Sequence, residues 1–161
     1  MVKFLIGLWL KIKYRFILGN EEYSKEIAGD IIEFYKYKTP VDIACYIFKR
    51  MKYVSDPLWG VIDIQQDLNK TIDRGWKGDC DDYAMVAYRL LEELGYETYL
   101  LTLIFDNLSK NHVVCLFKET GNWSFLGTEG YHNNFKYLNS MFNMFEKKAD
   151  SKIRGYSKDK V

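Results

Sequence analysis

The stretch Gly78-Asp79-Cys80-Asp81-Asp82-Tyr83-Ala84 runs into a segment where Ala84, Ala87, Tyr88, Leu91 and Leu94 fall at helical spacing and Gly95 supplies the stop. Cys80, four residues before Ala84, therefore stands at the start of a helix and on its buried face. A thiol is a useful nucleophile only as its thiolate, and the unpaired N–H groups of a helix N-terminus favour that form. Asp79, Asp81 and Asp82 would work against it if left unpaired, so a cation is needed nearby. A protonated histidine is the natural one, because a cysteine beside an imidazolium forms the ion pair of thiol hydrolases.

Working outward, the residues after Gly95 read as three strands: Tyr96 to Phe105, His112 to Phe117 and Trp123 to Leu126. They are separated by Asn107 to Asn111 and by Thr120-Gly121-Asn122, and they predict an antiparallel meander packed on the Cys80 helix. Upstream, Tyr23, Ile27, Ile31, Phe34 and Tyr35 recur at helical intervals between Glu21 and Lys38. Thr39-Pro40 is an N-cap and first-turn pair that opens a second helix running to about Lys52. Tyr53 to Gln66 has the turn chemistry of a loop, and a short helix from Asp67 to Arg74 ends at Gly75. The opening segment, with alternation from Leu10 to Phe16 and helical spacing from Val2 to Ile12, stays ambiguous. Leu138, Met141, Phe142 and Phe145 predict a last amphipathic helix, followed from Asp150 by a polar tail expected to be mobile.

The chain holds two histidines. On a strand His112 shares a face with Val114 and Leu116, while Val113, Cys115 and Phe117 point the other way. Its strand is expected beside the Cys80 helix, whereas His132 falls in a polar loop, Gly130 to Asn134, and is expected at the surface. His112 is the candidate base. Cys45 and Cys115 are expected as packing thiols, since unpaired cysteine is among the most buried residue types. A metal site built from Asp79, Cys80, Asp82 and His112 lacks both zinc and calcium loop spacings, so no metal and no cofactor are expected.

Bulk composition narrows the function classes. At 161 residues, 48% of them hydrophobic, the chain is sized for one domain with a real core. Lys and Arg number 23 against 22 Asp and Glu, which leaves no field to gather nucleic acid or an anionic membrane. Three cysteines are too few for a disulfide framework. The apolar run Phe4 to Leu10 falls far below the roughly 20 residues of a membrane-spanning helix. Lys11, Lys13 and Arg15 follow it where a signal peptide would need a cleavage site. A soluble, cytoplasmic protein without nucleic-acid or membrane partners is expected.

The string Gly78 to Ala84, followed by Leu90-Leu91, Leu94-Gly95-Tyr96, Asn111-His112-Val113-Val114 and Trp123 to Leu126, resembles the core of the transglutaminase-like superfamily, including the bacterial transglutaminase-like cysteine proteinases. The similarity spans about Thr39 to Leu126. It implies a single α+β domain over residues 1–161, with a papain-like core at about 39–137. A nucleophile-bearing helix would pack on an antiparallel sheet, with additional helices N-terminal to it. It further implies acyl transfer through a thioester on a peptide or protein substrate, with Cys80 as nucleophile and His112 as proton relay. The family normally places an aspartate after the next strand, in a pattern like Trp-x-x-Leu-Asp, but here Trp123-Ser124-Phe125-Leu126 is followed by Gly127. Thr128 or Glu129 could substitute, the site could work as a dyad, or catalysis could be lost and the fold kept as a binding or structural module. For the oxyanion hole, the Cys80 N–H is the first donor. Gln66 or Gln65 is the second, with the indole of Trp59 or Trp76 behind it.

Overall fold

The computed structural model describes residues 21–55 and 67–161. The opening segment and the oxyanion candidates Gln65, Gln66 and Trp59 lie outside the described residues.

Among the described residues, three helices precede the Cys80 segment. The first, α1, spans Glu21–Tyr35. In α2, Pro40–Arg50, the Thr39 side chain accepts from the Asp42 N–H while the Asp42 carboxylate accepts from the Thr39 N–H, a reciprocal cap that fixes the helix start. The third, α3, spans Leu68–Asp73 with Asp67 as N-cap, and Gly75 takes the positive φ of 73° that turns the chain out of it. Between them an unforeseen contact forms. Residues Lys52–Tyr53 (β1) pair in parallel with Lys77–Gly78 (β2), Tyr53 opposite Gly78.

Helix α4, Cys80–Glu93, is the centre of the protein: from Asp81 to Leu91 every residue is buried. Helices α1, α2 and α3 flank it, and its other side meets the sheet. That sheet has the order β6-β5-β4-β3-β7, from strands Thr98–Phe105 (β3), His112–Glu119 (β4), Asn122–Gly127 (β5), Gly130–Phe135 (β6) and Ile153–Asp159 (β7). Every neighbouring pair is antiparallel. The last helix, α5, is Leu138–Ala149.

The period of two along each strand divides the apolar residues between two cores. Leu100, Val113, Cys115, Phe117 and Leu126 pack with α4, whereas Leu101, Leu103, Phe105, Val114, Leu116 and Phe125 pack with Met141 and Phe145 of α5. The protein is thus mixed α and β, with an antiparallel sheet between α4 and α5.

Two sequence expectations about the edges of the sheet need correction. His132 lies in strand β6, with its ring stacked on Phe125 at 4.9 Å between centroids, and not in a polar surface loop. The segment after Asp150, expected as a mobile tail, forms β7 along β3, and Val161 beyond it packs on the α4 core while accepting a bond from the Tyr88 hydroxyl at 3.0 Å. Its side chains alternate half-buried and exposed, but the half-buried set past Ile153 is Gly155, Ser157 and Asp159, so hydrophobic periodicity could not reveal it.

A chain ending at Asp150 is therefore expected to unfold at markedly lower urea and to aggregate through the bared edge of β3. An unchanged unfolding midpoint would mean that β7 contributes nothing.

Candidate active site

Cys80 is the first residue of α4 because the chain before it is locked. The Asp79 side chain accepts from the Asp81 N–H at 3.4 Å, and the Asp82 carboxylate reaches back to the Asp79 N–H at 3.2 Å. Gly78 makes that return possible, since a Cβ there would stand 2.2 Å from the Asp82 Oδ2 and 2.4 Å from its Cβ. Asp79, Asp81 and Asp82 bring one oxygen each within 4.8 Å of one another, the one such group of metal-type donors among the described residues, and it includes neither Cys80 nor His112. Asp79 and Asp82 make the reciprocal bonds of a helix cap.

Cys80 and His112 line the same open cavity of about 450 Å³. They reach it by a route that differs from the expected one. Strand β4 does pack on α4, but through Val113, Cys115 and Phe117; His112 points to the α5 side, its ring 5.7 Å from that of Phe145. The two groups share a cavity because both stand at one end of the layers, His112 as the first residue of its strand and Cys80 as the first of its helix. Tyr53, Phe105 and Phe145 supply aromatic walls. Tyr53 arrives there through the β1–β2 pairing beside Gly78. His132 does not line this cavity and neither does Trp76, which sits edge-on to Tyr46 at 5.5 Å in the α4 core.

Of the two candidates after β5, Thr128 lines the cavity, but Glu129 makes the bond: its Oε2 lies 2.8 Å from His112 Nε2. Lys148 of α5 approaches the other oxygen at 3.6 Å. Burial works to raise the Glu129 pKa, yet the hydrogen bond and charge of His112, aided by Lys148, outweigh it and leave the carboxyl below its usual range. An ionised carboxylate only accepts hydrogen bonds, so the proton of this contact sits on Nε2 and a neutral His112 keeps its lone pair on Nδ1.

Gly127 explains how Glu129 gets there. A Cβ at 127 would meet Val114 Cγ1 at 2.7 Å and Glu129 Oε2 at 3.1 Å, so the glutamate carboxylate fills space next to where a longer residue 127 would project. The aspartate expected after Leu126 could not be accommodated here without moving both neighbours.

Of the two thiols expected to be buried in packing, only Cys115 is; the expectation fails for Cys45, whose place on α2 faces outward. Cys45 is exposed, whereas Cys115 is fully buried and its pKa is pushed well above 9.0 by burial, with the Glu92 charge adding to the effect. In comparisons with known proteins, no family model matches this chain and no curated protein matches its sequence.

Two outcomes follow from the Glu129 contact. Because its folded pKa is lowered, the interaction stabilises the protein above the unfolded carboxylate pKa and is lost as pH falls through the folded value. Urea midpoints measured from neutral to acid pH should show that component in the native protein and lack it in Glu129→Gln. Gly127→Ala should cost about 1–3 kcal/mol through overpacking against Val114 and should loosen the His112–Glu129 bond, read as a moved His112 Nε2 chemical shift by NMR.

Proposed function

We propose that this protein is a cysteine-dependent hydrolase or acyltransferase that acts on amide bonds of peptides or proteins, built on a transglutaminase-like, papain-like core. The observation that carries the reading is the shared cavity: a helix-start cysteine, a histidine, and a carboxylate 2.8 Å from that histidine's Nε2. Triads of this kind are recognised by geometry and roles, and here the roles are filled by Cys80, His112 and Glu129.

In this mechanism His112 Nδ1 takes the Cys80 proton, and Glu129 holds the ring's orientation and stabilises the imidazolium. The thiolate attacks the amide carbon, and the resulting oxyanion is met by the N–H of Cys80 at the helix start. As the C–N bond breaks, the imidazolium gives its proton to the departing amine, leaving a thioester on Sγ. Water, or a second amine, then loses a proton to His112 and attacks the thioester, which releases the acid or new amide and regenerates the thiol.

The alternative of an inactive binding or structural module rested on Gly127. Glu129 answers that point by supplying a carboxylate at the imidazole from two residues further on, and this favours catalysis.

Alkylation with iodoacetamide near neutral pH, located by peptide mapping of the native protein, tests the reading. Cys80 is expected to label much faster than exposed Cys45, and Cys115 not until unfolding. Glu129→Gln should slow acylation by up to about 10⁴, the size of the effect when a serine-protease triad loses its carboxylate. His112→Ala should remove the Cys80 advantage entirely. Labelling of Cys80 no faster than Cys45 would overturn the enzyme reading in favour of the module.

A further inference from the structure

The cavity that holds Cys80 and His112 also carries two lysines. Lys110 ends the 3-10 turn Leu108–Lys110 between β3 and β4, and Lys148 lies in the last turn of α5, so two different elements bring ammonium groups to the same opening. The turn is held in place: Asn107 caps it by accepting from the Ser109 N–H at 3.1 Å, and Asn111 closes it by accepting from the Phe105 N–H at 3.0 Å. Lys110 forms no ion pair among the described residues. Lys148 is 60% exposed, and among the described residues its anionic contact is Glu129, whose other oxygen is already engaged by His112.

Asp79, Asp81 and Asp82 stand beside Cys80 but do not line the cavity; Asp81 and Asp82 are buried, and these carboxylates accept from N–H groups at the start of α4, so the ammonium groups are the charges an incoming anion meets directly. The cavity's charged lining is therefore Lys110, Lys148 and Glu129, together with the Cys80–His112 pair, which is neutral overall whether or not the proton has moved. The balance of that lining, among the described residues, is one positive charge, in a chain whose formal net charge is only +1. A substrate approaching Sγ passes the two lysines, with an aromatic wall at Phe105 and Phe145.

Resting on the thiol-enzyme reading above, we propose that Lys110 and Lys148 are specificity-determining residues that select acyl donors bearing a carboxylate close to the reacting carbonyl, as in acidic peptides. Lys110 is the primary contact and Lys148 shares its charge between Glu129 and the incoming anion. A neutral or basic donor would gain nothing from either lysine.

Two small reagents that differ in charge at the same thiol provide the test on the full-length chain. Iodoacetate and iodoacetamide are applied separately at low ionic strength, and the ratio of their rate constants is measured at Cys80 and, as internal reference, at Cys45. The expected ratio at Cys80 exceeds that at Cys45 by about three- to tenfold and falls toward it as salt is added. Lys110→Gln and Lys148→Gln should each lower the Cys80 ratio by about two- to threefold, while Lys148→Arg retains it. Because His112 is present in every variant, the drop isolates the lysines. Rapid alkylation of Cys80 by iodoacetamide with a ratio equal to that of Cys45, or one unchanged by both glutamine substitutions, overturns the charge selection and leaves the nucleophile standing. Slow reaction of Cys80 with both reagents overturns the nucleophile and, with it, this inference.

Discussion

The Asp82 carboxylate folds back over Gly78 to the N–H of Asp79, and the Asp79 side chain accepts in turn from the first turn of α4. This reciprocal cap is the constraint from which the rest of the protein is built. It satisfies helix-start N–H groups that would otherwise be costly to bury, and Asp81 and Asp82 are themselves buried there. Helix α4 can then be covered on nearly every side, by α1, α2 and α3 and by one face of the sheet. Any side chain at 78 would force the cap open, and with it the position of Cys80.

The second organising feature is the two-sided sheet. Strands β3 and β4 are apolar on both faces because α4 covers one and α5 the other. Such a sheet leaves room for chemistry only at its ends, where strands begin, helices start and loops reverse. Cys80, His112 and Glu129 are all residues of that kind, at a helix start, a strand start and the β5–β6 turn. The Glu129 carboxylate illustrates the rule that a site needs a group in a place and not at a sequence position. Gly127 leaves the space open, the turn shifts the acid by two residues, and an oxygen still arrives 2.8 Å from the imidazole.

Helices were the most legible part of the chain. Thr39-Pro40 with Asp42, Asp67, Asp79 with Asp82, and Gly75 are local signals whose physics acts within a turn, and each stands where its chemistry requires. The three apolar strands were equally plain. The two that escaped notice, β6 and β7, lie at the edges of the sheet and carry Asn133, Asn134, Ser157 and Asp159 in place of an apolar stripe. Backbone hydrogen bonding to a strand already in place holds them, and that leaves little trace in the side chains. The β1–β2 pairing is only two residues long, so nothing local announced that Tyr53 would stand beside Gly78.

The sequence by itself determined where Cys80 sits, since a cap, a helix and a glycine are written within a few consecutive residues. It also determined that His112 shares its strand face with Val114 and Leu116. Only the tertiary structure decided that this face turns toward α5, that the histidine meets the thiol's cavity at the sheet's end, and that Glu129 rather than Thr128 reaches the ring. It alone brought Lys110 and Lys148 to the same opening. The reason is distance along the chain: caps act over three or four residues, whereas these groups come from separate elements whose meeting is set by how two cores pack on opposite faces of one sheet.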